Sequence, residues 1–354
     1  MASQPPYIPG HLRKADGIHI EIPSFGLHGL ADWWREIDRA LLAMILLLMV
    51  VGAVAVAVGS PASARRMSGA KKHYDDNAFF IAQLGWQSVG LVLMYGASRL
   101  SRDMARRLGI FLGFAMIVAL ILVLIPHVGT VKNGARRWLF GLQPSEFLKP
   151  SFAICLAWIL SLRPRDPKMP VMRLATAILA LVVFLLMMQP DFGSSMLFTG
   201  VWFVLLLLSG LNLRWIGIVG AGLAAGLAAT YVFYENGRNR IDSFFGGGSA
   251  YDQVHLAMDT LRAGGWTGTG MWLGQKKMSL PEAHTDYIFS VIGEEFGLIA
   301  CGLIALLYLA IVFRVLYRLA GEEDLFTVLA ATGLVAQFGG QAFINILVNV
   351  HLFP

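Results

Sequence analysis

Long apolar runs broken by short polar turns recur along most of the chain, and their boundaries predict helices near 40–59, 78–98, 107–126, 147–162, 171–189, 194–210, 214–234, 287–313 and 325–350. Most are close to the length that carries a helix across about 30 Å of hydrocarbon. The runs lack the alternation of a lipid-facing barrel strand, and backbone groups in hydrocarbon must be satisfied internally. The pattern therefore predicts an all-α polytopic membrane protein, a helical bundle with nine spans. Residues 1–39 stand apart as a cytoplasmic N-terminal segment: a polar, Pro-rich stretch leads into Leu27 to Arg39, where Trp33 and Trp34 beside Arg35 and Arg39 suit an amphipathic helix at the headgroup level. The stretch does not read as a cleaved signal peptide. Residues 40–354 form the transmembrane domain, including one large extracytoplasmic loop at 235–285.

Composition agrees, since 56% of the 354 residues are hydrophobic and only 14% charged, far from the quarter typical of soluble domains. Cys155 and Cys301 lie inside apolar runs and read as packing residues, which suggests neither a disulfide framework nor a Cys-rich metal site. With the N-terminus inside, the 28 Lys and Arg divide almost evenly between the two sides. The compact turns Arg99, Arg102, Arg106, Arg107 and Arg163, Arg165, Lys168, Arg173 favour that orientation. Basic residues on the outer side, among them Arg65, Arg66, Lys132, Arg136, Arg137 and Arg238, either solvate loops or attract an anionic ligand at the outer leaflet.

Four polar stretches interrupt the pattern. The loop before the fourth helix carries Lys132, Arg136, Arg137 and Trp138, then Gln143-Pro144-Ser145-Glu146 and Lys149. Glu146 and Lys149 stand one turn apart as an ion pair would, yet arginines and a membrane-depth lysine also suit a pyrophosphate. Gln189-Pro190-Asp191-Phe192-Gly193 joins two helices with ordinary turn chemistry, and Asp191 is placed to cap the second. The large loop is glycine-rich without a nucleotide fingerprint, and it ends in Leu280-Pro281-Glu282-Ala283-His284-Thr285-Asp286. There Asp286 either caps the next helix or serves as a general base at the bilayer surface. Deeper in that helix, Glu294 and Glu295 call for cationic partners or water. On the last helix Gln337, Gln341, Asn345 and Asn349 recur every four residues, a stripe that predicts interhelical hydrogen bonds.

Taken in order, Asn133-Gly134-Ala135-Arg136-Arg137-Trp138-Leu139, Gln143-Pro144-Ser145-Glu146, Gln189-Pro190-Asp191-Phe192-Gly193-Ser194-Ser195 and Ala283-His284-Thr285-Asp286-Tyr287 resemble the SEDS family (shape, elongation, division and sporulation) over about residues 40–354. Gly293-Glu294-Glu295-Phe296-Gly297 and the stretch from Asn345 to Pro354 are more similar to its division branch, FtsW, than to its elongation branch, RodA. The resemblance implies a ten-helix peptidoglycan glycosyltransferase, so that nine spans of an expected ten are present. It departs at Met271-Trp272, where another Gly or Pro is expected.

The implied activity is polymerisation of lipid II at the outer face of the bacterial cytoplasmic membrane, with inversion, during division at the septum. Asp286 would be the catalytic base, deprotonating the acceptor's GlcNAc 4-hydroxyl. Lys132, Arg136, Arg137, Trp138, Glu146, Lys149, Asp191 and His284 would bind substrate. Implied partners are a class B penicillin-binding protein, other divisome proteins and membrane lipids, and no nucleic acid. No resident cofactor is assigned, and whether a divalent cation, Mg or Mn, bridges Asp286 and the pyrophosphate stays open. Two rival readings remain, a lipid II flippase and a silent divisome scaffold.

Overall fold

The computed structural model describes residues 27–68, 73–132, 135–164, 166, 168–210, 231–232, 238, 242 and 249–352. The described chain falls into two units, one ending at Arg39 and one beginning at Ala40. In the first, α1 (Leu27–Glu36) forms as the tryptophan-arginine pattern predicts, with the Arg39 guanidinium 5.4 Å from the Trp34 ring centroid.

The second unit is built from α2 (Arg39–Met67), α3 (Ala78–Ser98), α4 (Arg102–Leu124), α5 (Pro144–Ser161), α6 (Val171–Met187), α7 (Phe192–Leu208), α8 (Ser249–Ala263), α9 (Ile288–Leu319) and α10 (Leu325–Asn349). Eight of the nine expected spans appear as helices. The one expected at 214–234 lies almost wholly outside the described residues. Five helices, α2, α3, α4, α9 and α10, are long and apolar enough to cross a membrane, and α6 and α7 are shorter apolar helices of 17 residues each. The chain is a multi-pass membrane protein. Helix α2 continues eight residues past its expected end at residue 59, through Pro61, because Gly59, Ser60, Ala62, Ser63 and Ala64 are small enough to bury against their neighbours.

One core lies where α4, α5, α6, α7 and α10 meet. Phe152 and Phe198 pack edge-on at 4.9 Å there, among Leu120, Leu156, Leu160, Val182, Leu205 and Leu329. Glycines let α4 approach α5 closely: a Cβ on Gly109 would sit 2.5 Å from Ile154, and one on Gly113 2.9 Å from Cys155 Sγ. Two features depart from the predicted pattern. The loop after α4 forms a hairpin of β1 (Thr130–Lys132) and β2 (Ala135–Trp138), antiparallel with Val131 opposite Arg136 and an irregularity beside Thr130. Within the large loop, α8 is a helix whose Ala257 and Leu261 are buried in small cores shared with α9, where periodicity had predicted only loop.

Salt bridges and hydrogen bonds sort the turns by side. Arg102, at the start of α4, meets Glu322 at 3.4 Å and Asp324 at 3.8 Å, which joins the turn before α4 to the turn before α10. At the other end of α2, Ser63 and Arg66 bond residues of the large loop. Both placements agree with the alternation of sides expected from the runs.

Candidate functional site

Residues 280–287 dock by their apolar members. Leu280, Ala283 and Tyr287 are buried with Val58 and Ala62 of α2, Ala257 of α8 and Val291 of α9. Gly59 permits the approach, since a Cβ there would lie 3.1 Å from the Ala283 carbonyl oxygen. Of the polar members, Thr285 and Asp286 are exposed, Asp286 at the entrance to α9. His284 is half-buried: its ring lies 4.0 Å from that of Phe79, and Nδ1 is 2.8 Å from Ser63 Oγ. Burial lowers its pKa below the ordinary imidazole value, while Glu282 and Asp286 pull the other way. A small cavity of about 230 Å³ opens beside it, lined by Ser63, Arg66, Met67, Pro281, Glu282 and His284.

Helix α9 is broken at Gly297, which adopts φ 81° and ψ 174°. A break in a span frees main-chain groups that need partners, and the glycine-rich loop supplies them. Leu298 N donates to Gly265 O (3.0 Å) and Ile299 N to Trp266 O (3.2 Å), while Thr269 N and Gly270 N donate to the carbonyls of Glu294 and Glu295 (2.8 and 3.1 Å). The carboxylates continue the clamp. Glu294 accepts from the backbone N–H groups of Lys276 (2.6 Å) and Lys277 (2.8 Å), and Glu295 accepts from Gly274 N (3.2 Å) and from Lys277 Nζ. Glu294 and Glu295 are each 1% exposed and Lys277 3%. These carboxylates anchor the loop, the pairing role that the sequence left open beside catalysis, with the cation supplied by the loop.

A second polar group lies between the β-hairpin, α5 and α7. Neighbouring residues on a strand point to opposite faces, so Arg136 reaches back to Leu124 O (3.3 Å) while Arg137 reaches the turn before α7. There Arg137 donates to Gln189 O (2.8 Å) and to Pro190 O, and lies 3.9 Å from Asp191 Oδ1. Asp191 is buried and caps α7 by accepting from Ser194 N at 3.3 Å, with Gln143 Nε2 3.4 Å from its other oxygen. Lys149 is buried one turn inside α5, where Nζ contacts both oxygens of Glu146 at 2.8 Å and donates to Gln341 Oε1 of α10 at 3.0 Å. Trp138 is half-buried and pairs with Thr130, and Lys132 pairs with Ala135.

The candidate residues thus form two neighbourhoods, one holding Arg136, Arg137, Trp138, Glu146, Lys149 and Asp191, the other His284 and Asp286. Both meet α10. Gln341 reaches Lys149, and Asn349 reaches the backbone of Asp286 by donating Nδ2 to its carbonyl at 2.9 Å. The stripe on α10 announced interhelical bonding but not these two targets, which only the packing of α10 against α5 and α9 decides. Ser63, Arg66 and Lys277 were missed as partners because they are distant in sequence from what they bind.

The family profile FtsW/RodA/SpoVE, described as cell cycle protein, matches residues 38–354. A probable peptidoglycan glycosyltransferase FtsW of Methylococcus capsulatus is 36% identical over 350 residues, covering 93% of this chain and 86% of that protein. One of the same description from Caulobacter vibrioides is 33% identical over 331 residues, covering 92% and 83%. Among solved structures, a chain of a peptidoglycan synthase complex that coordinates polymerization and crosslinking superposes with a TM-score of 0.73 at 25% identity, covering 91% of this chain and 89% of that one. The rod shape determining protein RodA of Thermus thermophilus shares the fold, with a TM-score of 0.63 at 24% identity, covering 89% and 86%.

Proposed function

The chain belongs to the FtsW/RodA/SpoVE family of cell cycle proteins, and from that premise we propose that it is a peptidoglycan glycosyltransferase that polymerises lipid II on the outer face of the bacterial cytoplasmic membrane. Asp286 takes the proton from the acceptor's GlcNAc 4-hydroxyl. The freed oxygen pair attacks the donor's anomeric carbon from the face opposite the leaving group, and the bond to the lipid pyrophosphate breaks with its electrons on that oxygen. The α-linked donor gives a β-linked product in one inverting step, so one base suffices. Lys149 and the guanidinium groups of Arg136 and Arg137 receive the charge that develops on the pyrophosphate, with Lys132, Trp138, Glu146, Asp191 and His284 lining the path of the substrate.

The observation that carries this reading is the placement of Lys149 and Asp286 against one helix. Gln341 and Asn349 are eight residues apart on α10, about 12 Å along its axis at 1.5 Å per residue, and they contact Lys149 and the Asp286 carbonyl respectively. One helix thus ties the buried cation and the main chain of the proposed base together, which supports their serving one substrate site. Among the described residues no three His, Cys, Asp or Glu side chains converge to hold a metal ion, and no step is routed through one. A class B penicillin-binding protein is the proposed partner, supported by the likeness to a chain of a synthase complex, with the N-terminus in the cytoplasm and the assembly at the septum.

The test is polymerisation of labelled lipid II by the purified chain with its cognate penicillin-binding protein, read as a glycan ladder. Ladders that vanish in the Asp286→Asn variant are expected. Equal ladders from both chains would overturn the base assignment. Movement of lipid II between leaflets without ladders would favour the flippase, and no activity with intact partner binding would favour the scaffold.

A further inference from the structure

Helix α9 starts without a cap of its own. Its N-cap residue, Tyr287, offers no side-chain acceptor to the first turn, where Ile288 N donates to Thr285 O (3.3 Å) and Ser290 N to Tyr287 O (3.1 Å). The acceptor comes instead from the last residue of α10. Asn349 Oδ1 accepts from Ser290 N at 3.1 Å and from Ser290 Oγ at 2.7 Å, and Nδ2 donates to Asp286 O and to Asn345 O, both at 2.9 Å. Asn349 and Ser290 are both 0% exposed. The amide's two lone pairs and two N–H groups are all used. Its orientation is fixed as well, because the Ser290 N–H can only donate and the carbonyls of Asp286 and Asn345 can only accept.

We propose that Asn349 is a positioning residue for Asp286: a cap supplied by a neighbouring helix that fixes the main chain of the base while leaving its carboxylate outside the helix. The inference rests on the reading of Asp286 as the base. An amide is required because both functions are needed at one point. Aspartate would keep the two contacts with Ser290 and lose the donation to the Asp286 and Asn345 carbonyls, and alanine would lose all four. A misplacement of the reacting group by about 1 Å lowers turnover on the order of a hundredfold while leaving substrate binding intact, so the loss should appear in kcat rather than in KM.

The experiment measures kcat and KM for lipid II, together with the melting temperature, for the full chain with its penicillin-binding protein partner as wild type, Asn349→Ala, Asn349→Asp, Ser290→Ala and Asp286→Asn. Expected are kcat losses of about ten- to a hundredfold in both Asn349 variants with KM within about twofold of wild type, and a smaller loss in Ser290→Ala. Wild-type kcat in a folded Asn349→Asp protein, with Asp286→Asn inactive, would overturn the positioning role and leave the base assignment standing. An active Asp286→Asn protein would overturn the base assignment and the positioning role with it. Should neither Asn349 variant fold, Ser290→Ala decides by the same kcat criterion.

Discussion

Around α5 and α7 the charged side chains engage one another, whereas at the mouth of α9 the division of labour is sharper. Lys149 holds Glu146, and Arg137 holds the turn that carries Asp191. Along α9, by contrast, the two buried carboxylates Glu294 and Glu295 are consumed in fastening the loop, and Asp286 remains exposed, kept in place through its backbone carbonyl by Asn349. Two acids thus fasten the fold, while the acid proposed to react lies at the surface. A buried carboxylate needs partners for its charge, and Glu294 and Glu295 find theirs in the loop. Asp286, the proposed base, is held by its main chain.

That contrast is broken most directly by exchanging effects between the two kinds of acid. Asp286→Asn should lower polymerisation by about 10²–10⁴-fold, the usual contribution of a general base, with the melting temperature unchanged, as judged by glycan ladders and thermal unfolding of the same preparation. Lys277→Met should do the reverse. Removing one partner of a buried ion pair costs about 3–5 kcal/mol because a charge is left without compensation, so its melting temperature should fall sharply; an unchanged one would show that Glu295 does not depend on Lys277.

Gly268→Ala sharpens the same point from the backbone side. A Cβ there would lie 2.1 Å from the Glu295 carbonyl oxygen at φ 85°, and the left-handed conformation alone costs a non-glycine residue of order 1–3 kcal/mol. Destabilisation read by thermal unfolding, together with faster proteolysis of the loop, is expected. The smallest effect concerns His284. Its folded-state pKa is depressed by burial, so the fold favours the neutral ring. The stability it contributes is full above the ordinary imidazole value of about 6.5 and is lost as pH falls below that value through the depressed one. The melting temperature of wild type should therefore decline over this window more than that of His284→Gln, by an amount small beside the two preceding variants.

How much of this was legible in the chain differs by feature. Spans 78–98 and 325–350 coincide with α3 and α10 to within a residue, because apolar runs flanked by polar turns have only one stable arrangement in a bilayer. The hairpin of β1 and β2 and the helix α8 escaped prediction for a common reason: both are short and draw their stability from packing, α8 on α9 and the hairpin on the end of α4 and the turn before α7. Trp272 makes the same point in one residue. It stands where another glycine or proline was expected, and its backbone adopts φ 64°, a left-handed conformation that favours glycine.

Hydropathy and motif order, being local properties, were enough to identify a helical membrane protein and to place Asp286, Glu294 and Glu295 at the start of one helix. Helix packing settled which of those acids are buried in the loop's clamp and which lies at the surface. That distinction depends on a loop carrying Lys277 into contact with Glu295 across 18 positions and on Asn349 reaching the Asp286 backbone across 63. Contacts over such separations are set by how helices pack, and no local pattern of residues encodes them.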